Sequence, residues 1–283
     1  MNLRTLLRLL PDSIYIQMKY FHHFHRFANL VNPQTFNEKL QWLKLHDRNP
    51  LYTTLVDKYA VKKWVADKIG EQYIIPTLGV WEKAEDIDFD KLPNQFVLKV
   101  NHDSGGIVIC RDKSKLDKQA ALAKLSRALK NNGYWYGREW PYKQIKPCII
   151  AEKYMLDTQT NELRDYKFFC FHAVPKILFI ASDRQHPTEE TKFDFYDMEF
   201  NHLPFTNGHP NATQAPEKPV TFQLMKQLAA RLAENIPHVR VDLYEINGKI
   251  YFGELTLYHW SGFKPFSPTQ WDKTLGSWLT LPK

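Results

Sequence analysis

Cysteine is scarce in this chain: there are three, at positions 110, 148 and 170. An odd, widely spaced set makes neither a disulfide framework nor a metal knuckle, and it fits a reducing cytoplasm. Long apolar runs are missing as well. The apolar stretch Leu6 to Leu10 is interrupted by Arg8 and closed by Pro11, which makes it too short for a membrane span and a poor secretory signal. Glycine supplies only 11 residues and no G-x-x-x-x-G-K-[ST] occurs, so a Walker A loop is excluded. The chain has no internal repeat, low-complexity tract, helix-turn-helix, zinc-finger spacing or aromatic-basic RNA motif. Its positive charge is diffuse, and nucleic acid is not the expected partner.

What is present describes a folded protein. Hydrophobic residues make up 43% and aromatics 14% of 283 residues, enough for one large domain or two intimate lobes. Acidic residues are in modest deficit, 31 against 38 Lys and Arg, for a formal net charge of +7. That balance favours acidic ligands: nucleotides, anionic glycans or an anionic membrane surface. Residues 1–30 alternate aromatics and aliphatics with Arg4, Arg8, Lys19 and Arg26. They read either as a helix packed on its own domain or as one lying peripherally on the inner face of the membrane. His22, His23 and His25 lack the i, i+4 spacing that puts two imidazoles on one helical face, so no metal site is expected there.

Residues 36–70 carry helical periodicity, and 73–80, with Pro76, read as a short strand. A strand at 96–100 runs into Asn101-His-Asp-Ser-Gly-Gly106 and returns at 107–110. A helix at 116–131, a strand at 149–155, a hairpin pairing 165–171 with 176–182, and a helix at 221–235 follow. Residues 185–220, rich in Pro, His and Asn, read as loop. Without a regular βαβ rhythm the expected class is α+β.

The chemistry concentrates in the last hairpin. Arg240 and Asp242 share one strand face, as do Glu254 and Thr256, and Asn247-Gly248 is a hairpin turn that can bring the two sets together. Hard oxygens beside a guanidinium suit Mg²⁺ and the phosphates it carries; the bland reading is an edge hairpin with solvated charges. Lys99 at a strand end, followed by Ser104-Gly105-Gly106, is a second phosphate signal, though a Gly-Gly between strands also serves as a plain turn. Asp86-Ile-Asp88 is a literal D-x-D, either an acidic turn or a cation grip on a sugar-nucleotide diphosphate.

The order of the pieces resembles the ATP-grasp superfamily: Val56-Asp57-Lys58, the Lys99 strand with its glycine loop, Glu152-Lys-Tyr-Met155, Asp165-Tyr-Lys167, Arg240-Val-Asp242 and Glu254-Leu-Thr256. Over roughly residues 35–275 it looks more closely like the TupA-like ATP-grasp family of bacterial surface-polysaccharide clusters. The stretches Thr35-Phe-Asn-Glu-Lys-Leu-Gln-Trp, Tyr136-Gly-Arg-Glu-Trp-Pro-Tyr and Phe252-Gly-Glu-Leu-Thr carry that closer match. The resemblance implies two α+β lobes clasping ATP behind a mostly helical N-terminal extension. The segments would be 1–95 (helical region and pre-grasp segment), 96–155 (small lobe) and 156–283 (C-terminal lobe with the metal site). It implies that Lys58 and Lys99 touch phosphates and that His102, Ser104, Gly105 and Gly106 form a loop over the γ-phosphate. Glu152, Tyr154 and Met155 become the adenine hinge, with Asp165 and Lys167 beside it. Asp242, Glu254 and Thr256 become ligands of Mg²⁺, and Arg240, with Lys99, becomes the catalytic cation. Thr256 stands where many relatives of the superfamily have Asn, and a hydroxyl is a weaker neutral ligand. The implied activity is an ATP- and Mg²⁺-dependent carboxylate–amine ligase, joining a uronic-acid-bearing glycan precursor or other acidic glycan to an amine. A metal-dependent glycosyltransferase using the D-x-D, and an inactive glycan-binding scaffold, are the competing readings.

Overall fold

The structure is a computed structural model that describes residues 3–158, 163–183 and 190–282. Two helices open it, α1 (Leu3–Leu9) and α2 (Asp12–Phe24). Ile16 and Tyr20, four residues apart on α2, are buried with Ala28 and Phe263, so this helix packs on its own domain. Ile14, Met18 and Phe21 on its other side remain exposed. Among the described residues no helix is long and apolar enough to cross a membrane, and no three His, Cys, Asp or Glu side chains are grouped to hold a metal ion.

Three further helices follow, α3 (Phe36–His46), α4 (Leu51–Val56) and α5 (Ala60–Ile69). Thr35 starts α3 through a capping box: its hydroxyl accepts from the Glu38 N–H while the Glu38 carboxylate accepts from the Thr35 N–H. At the same end the Asn37 N–H donates to Asp272 at 2.9 Å.

Four antiparallel strands make the first sheet: β1 (Thr77–Trp81), β2 (Phe96–Val100), β3 (Ile107–Cys110) and β4 (Ile149–Lys153), in the order β1-β4-β2-β3. The sheet therefore reaches back to Thr77. Alternation along β2 and β4 decides what each face carries. Phe96, Leu98, Val100, Ile149 and Ala151 form one core with Leu125 and Ala128 of α6 (Lys118–Leu129). Lys99 and Glu152 fall on the opposite face by the same period. The short α7 (Tyr134–Gly137) lies between α6 and β4 in the chain.

The second sheet is also antiparallel: β5 (Asp165–Phe171), β6 (Val174–Ser182), β7 (Lys192–Asp197), β8 (His238–Ile246) and β9 (Lys249–Thr256), ordered β7-β6-β5-β8-β9. Helix α8 (Phe222–Leu232) covers one face, with Phe222 stacked on Phe168. On the other face Phe36 of α3 meets Phe169, Phe171 and His238. Farther along that face Lys167, Arg240 and Asp242 replace the aromatics, so a single sheet surface changes from apolar to ionic. Helix α9 (Gln270–Trp278) closes the chain against α3. Gly276 is required there, since a Cβ on it would sit 2.3 Å from the Gln34 carbonyl.

Two expectations need correction. Strand β7 lies inside the segment read as loop. Its Phe193 and Phe195 are buried, but so is Asp194, which accepts from the Ala212 N–H, and that interior charge hides the apolar run. The β5–β6 turn falls at His172 and Ala173, both at positive φ (48° and 65°), so β6 already begins at Val174.

Candidate active site

The cationic side of the site comes from the first sheet and α5. Glu152 is almost fully buried and bridges two lysines, Lys62 at 2.6 Å through Oε1 and Lys99 at 2.7 Å through Oε2. Burial raises the Glu152 pKa, but the two ammonium groups outweigh that and hold it below the ordinary value. The Lys62 ammonium also donates to the Ile75 carbonyl (2.9 Å) and the Thr77 hydroxyl (2.8 Å). Its place is thereby fixed from the β1 side. Lys58 precedes α5; its N–H donates to the Asn101 carbonyl (2.9 Å) and its ammonium to the Asp103 carbonyl (3.2 Å).

The loop after β2 is firmly held at its start. Asn101 donates to Asp57 and to the Lys146 carbonyl, both at 3.0 Å, and its Oδ1 accepts from the Cys148 N–H. His102 is buried, with Nδ1 3.0 Å from Asn101 Oδ1 and Nε2 3.0 Å from the Asn131 carbonyl. It anchors the loop to the end of α6. Asp103 accepts from Gly105 N–H and from Asn131. Ser104 and Gly105 form the exposed tip. Gly105 has only the Asp103 carboxylate near its virtual Cβ, at 3.7 Å, whereas a Cβ on Gly106 would meet Ala128 at 2.6 Å and Val100 at 2.8 Å. One glycine leaves space at the tip, and the other lets α6 close on the sheet.

The anionic side comes from the second sheet. Register places Asp242 opposite both Lys167 and Glu254, and Arg240 opposite Thr256. Arg240 grips Asp242 side-on, Nε to Oδ1 and Nη2 to Oδ2, both at 2.7 Å, and Nη2 reaches Glu254 at 3.1 Å. Its Nη1 lies 2.8 Å from Nδ1 of His259. Burial opposes the Arg240 charge, but Asp242 and Glu254 overcome it and hold the pKa above the ordinary value. Lys167 bridges Asp242 and Asp165, the latter at 3.2 Å; burial pulls its pKa down against the attraction of Asp242.

The two sides face one another. Burial lowers the Lys58 pKa; Glu254 of the second sheet opposes that shift, and Lys99 of the first adds to it. Tyr142 lies between them: burial pushes its phenol well up, helped by Glu139 and Glu254, while Arg240 pulls it down. The residues fit one divalent cation. Asp242 Oδ1 accepts a single bond, from Arg240 Nε, so one lone pair of that oxygen remains among the described contacts. Glu254 lies directly opposite, part-exposed, and Thr256 two residues on. Two carboxylates and a hydroxyl leave half of an octahedron to water and phosphate oxygens, as is usual for Mg²⁺ at nucleotide sites.

The residues expected to act together thus fall into two facing groups, with several differences of detail. The Glu152 carboxylate is taken up by lysines, on the cation face of β4. Tyr154 and Met155 follow β4 directly, where a cavity of about 210 Å³ opens between Gln95, Arg111, Tyr154 and Leu156. Asp165 lies deep beside Lys167. A larger cavity, about 590 Å³, is lined by His172, Glu234, Asn235, Thr280 and Leu281 among others, and by none of the expected site residues. Asp86 and Asp88 stand apart, in two 3₁₀ turns. Asp88 caps the second by accepting from the Asp90 N–H and pairs with Lys91 at 3.2 Å. Sequence reasoning missed Lys62, Tyr142 and His259. Lys62 alone carries a local hint, being one helical turn beyond Lys58.

No curated protein matches the chain. Among solved structures it is similar to the L-amino acid ligase from Bacillus licheniformis (TM-score 0.48, 12% identity, covering 92% of this chain and 55% of that one). It is similar also to D-alanine–D-alanine ligases from Helicobacter pylori (0.43, 14%, 87% and 69%) and Bacillus anthracis (0.41, 16%, 72% and 54%). The chain spans about half the length of the B. anthracis protein. The family model described as TupA-like ATP-grasp matches residues 38–280, and the protein belongs to the TupA-like ATP-grasp family, with its α+β ATP-grasp fold.

Proposed function

We propose that the protein is an ATP- and Mg²⁺-dependent ligase that activates a carboxylate as an acyl-phosphate and passes the acyl group to an amine. The observation that carries this reading is half-buried Lys58, whose ammonium is held at the Asp103 carbonyl of the glycine loop and interacts both with Lys99 of one sheet and with Glu254, opposite Asp242, of the other. A nucleotide triphosphate laid along that line meets ammonium groups on one side and metal-binding carboxylates on the other. Mg²⁺, when bound, neutralises phosphate charge and polarises the transferred group. Lys58 and Lys99 hold phosphate oxygens, Asp242, Glu254 and Thr256 offer oxygens to the ion, and Arg240 faces the transferred phosphoryl group. The γ-phosphoryl passes to a carboxylate oxygen with release of ADP. The amine nitrogen then attacks the acyl carbon, the bond to the phosphate oxygen breaks, inorganic phosphate leaves and the nitrogen loses a proton. Such transfer asks for positioning and charge, not for a covalent nucleophile.

For the carboxylate we favour a uronic acid of a surface-glycan precursor. Net charge of +7 and the exposed rings of Tyr136 and Trp260 support an acidic, sugar-bearing acceptor. Purified protein incubated with Mg²⁺, ATP, a panel of uronic acids and hydroxylamine as the amine tests this. Hydroxamate formed in step with ADP is the expected result. Consumption of a sugar nucleotide with no ADP from ATP would refute the ligase reading.

A further inference from the structure

Arg240 has five N–H donors, and four have partners: Nε–H and one Nη2–H on Asp242, the second Nη2–H on Glu254, and one Nη1–H on His259. Among the described residues a single Nη1–H remains. The fork that recognises oxyanions in pairs is spent on Asp242, so the catalytic use of this arginine depends on where one nitrogen points. Asp242 and Glu254 fix the Nε and Nη2 edge. His259 is the group on Nη1.

The protonation of His259 follows from its neighbours. A guanidinium can only donate, so Nδ1 must present its lone pair, and the ring proton sits on Nε2. Nε2 lies 2.8 Å from Asn207 Oδ1. The Asn207 amide cannot be turned the other way, because its nitrogen donates to the carbonyls of Lys264 (3.2 Å) and Pro265 (3.0 Å). Asn207, His259 and Arg240 are all buried, and the bonds along this series leave each of them one consistent orientation. Burial and the adjacent Arg240 charge hold the imidazole neutral, as the bonding requires.

The backbone behind His259 is built at a cost. Trp260 (φ 48°), Ser261 (φ 55°) and Gly262 (φ 65°) are three successive left-handed residues, two of them not glycine, a conformation that ordinary side chains rarely adopt. The buried Lys44 ammonium donates to the Ser261 carbonyl (2.6 Å), and the Gln41 amide to those of Ser261 (3.1 Å) and Gly262 (2.7 Å), which holds the turn from α3.

We infer that His259, braced by Asn207, is a positioning residue that orients the Arg240 guanidinium so that its one remaining Nη1–H meets the transferred phosphoryl group. The inference rests on the nucleotide reading above and is tested without the acceptor substrate. Two probes are used with the full chain and Mg²⁺: ADP, which lacks the transferred group, and ADP with aluminium fluoride, which mimics it. His259→Leu is expected to weaken the aluminium fluoride complex at least tenfold while leaving the Kd for ADP within twofold. His259→Asn, which keeps an acceptor near the Nδ1 position, should recover most of the loss. Should His259→Leu fail to fold, Asn207→Ala is read in the same way, with a smaller loss confined to the aluminium fluoride complex. Equal weakening of both complexes would make His259 a structural residue only, and unchanged binding of both in a folded variant would also overturn the inference. Failure of the unsubstituted protein to bind either nucleotide would instead remove the nucleotide reading, and the inference with it.

Discussion

Replacing Glu152 by Gln removes the one carboxylate shared by Lys62 and Lys99. Its side chain is 7% exposed and theirs 12% and 17%, so solvent screens these charges poorly. The glutamine oxygen can still accept from one ammonium, so one charge-assisted hydrogen bond is lost, at about 1.5–3 kcal/mol, and removal of the charge of one member of a buried ion cluster typically costs about 3–5 kcal/mol. The second figure includes the ammonium charge left uncompensated and sets the expected loss at about 3–5 kcal/mol. At about 2–4 °C per kcal/mol for a chain near this size, the melting temperature should fall by roughly 6–20 °C. The glutamine leaves two ammonium groups close together, and phosphate oxygens are the anions best placed to relieve them. Mg-ATP should therefore raise the melting temperature of the variant by more than it raises that of the unsubstituted protein. The pH dependence has a definite sign. The folded-state pKa of Glu152 lies below its ordinary 4.5, so its contribution is complete above that value and is lost as pH falls through the folded pKa. The difference in stability between the two proteins should accordingly be constant near neutrality and shrink below about pH 4.5. Differential scanning fluorimetry across pH, with and without Mg-ATP, measures all three. A variant that melts within 2 °C of the unsubstituted protein at pH 7 would refute the reasoning, since this buried bridge would then hold nothing.

Other outcomes follow from the same geometry. Gly106→Ala should destabilise by about 1–3 kcal/mol through overpacking against Ala128 and Val100, whereas Gly105→Ala, with open space around it, should change stability by less than about 0.5 kcal/mol; chemical denaturation separates the two. Lys99→Met should weaken Mg-ATP binding by about 10- to 100-fold, the worth of a hydrogen bond to a charged group, and calorimetry reads the change. Glu254→Gln should raise the Mg²⁺ concentration needed for half-maximal ATP binding by about tenfold, because one of two carboxylate ligands loses its charge; an unchanged Mg²⁺ requirement would remove Glu254 from the metal site.

The last hairpin was legible because its information is local. A period of two fixes which side chains share a strand face, and the two-residue Asn-Gly turn fixes the pairing nearest to it, from Ile246 opposite Lys249 to Leu243 opposite Phe252. Continued from the turn, that register would set Asp242 opposite Gly253; the ladder shift between Asp242 and Leu243 moves it by one residue and brings Glu254 opposite Asp242 and Thr256 opposite Arg240, a step that no local signal announces. The first sheet was legible through the same period of two, with Lys99 on the face opposite the apolar Phe96, Leu98 and Val100.

What escaped reading depends on partners distant in the chain. Lys62 is one of four lysines between 58 and 68, and only its contact with Glu152, ninety residues on, sets it apart. The same contact changes the meaning of Glu152. A carboxylate at a strand end looks available to a nucleotide base, and the tertiary structure commits it to two cations. His259 shows the limit most clearly. Nothing in its neighbours Tyr258 and Trp260 announces a polar role, and its use is set by a left-handed turn that α3 stabilises from more than two hundred residues away. Periodicity reports which face a residue occupies, and so it recovers groups that act from regular strands. It carries no information about which donors of Arg240 are already spent, and that accounting decides what the arginine can do.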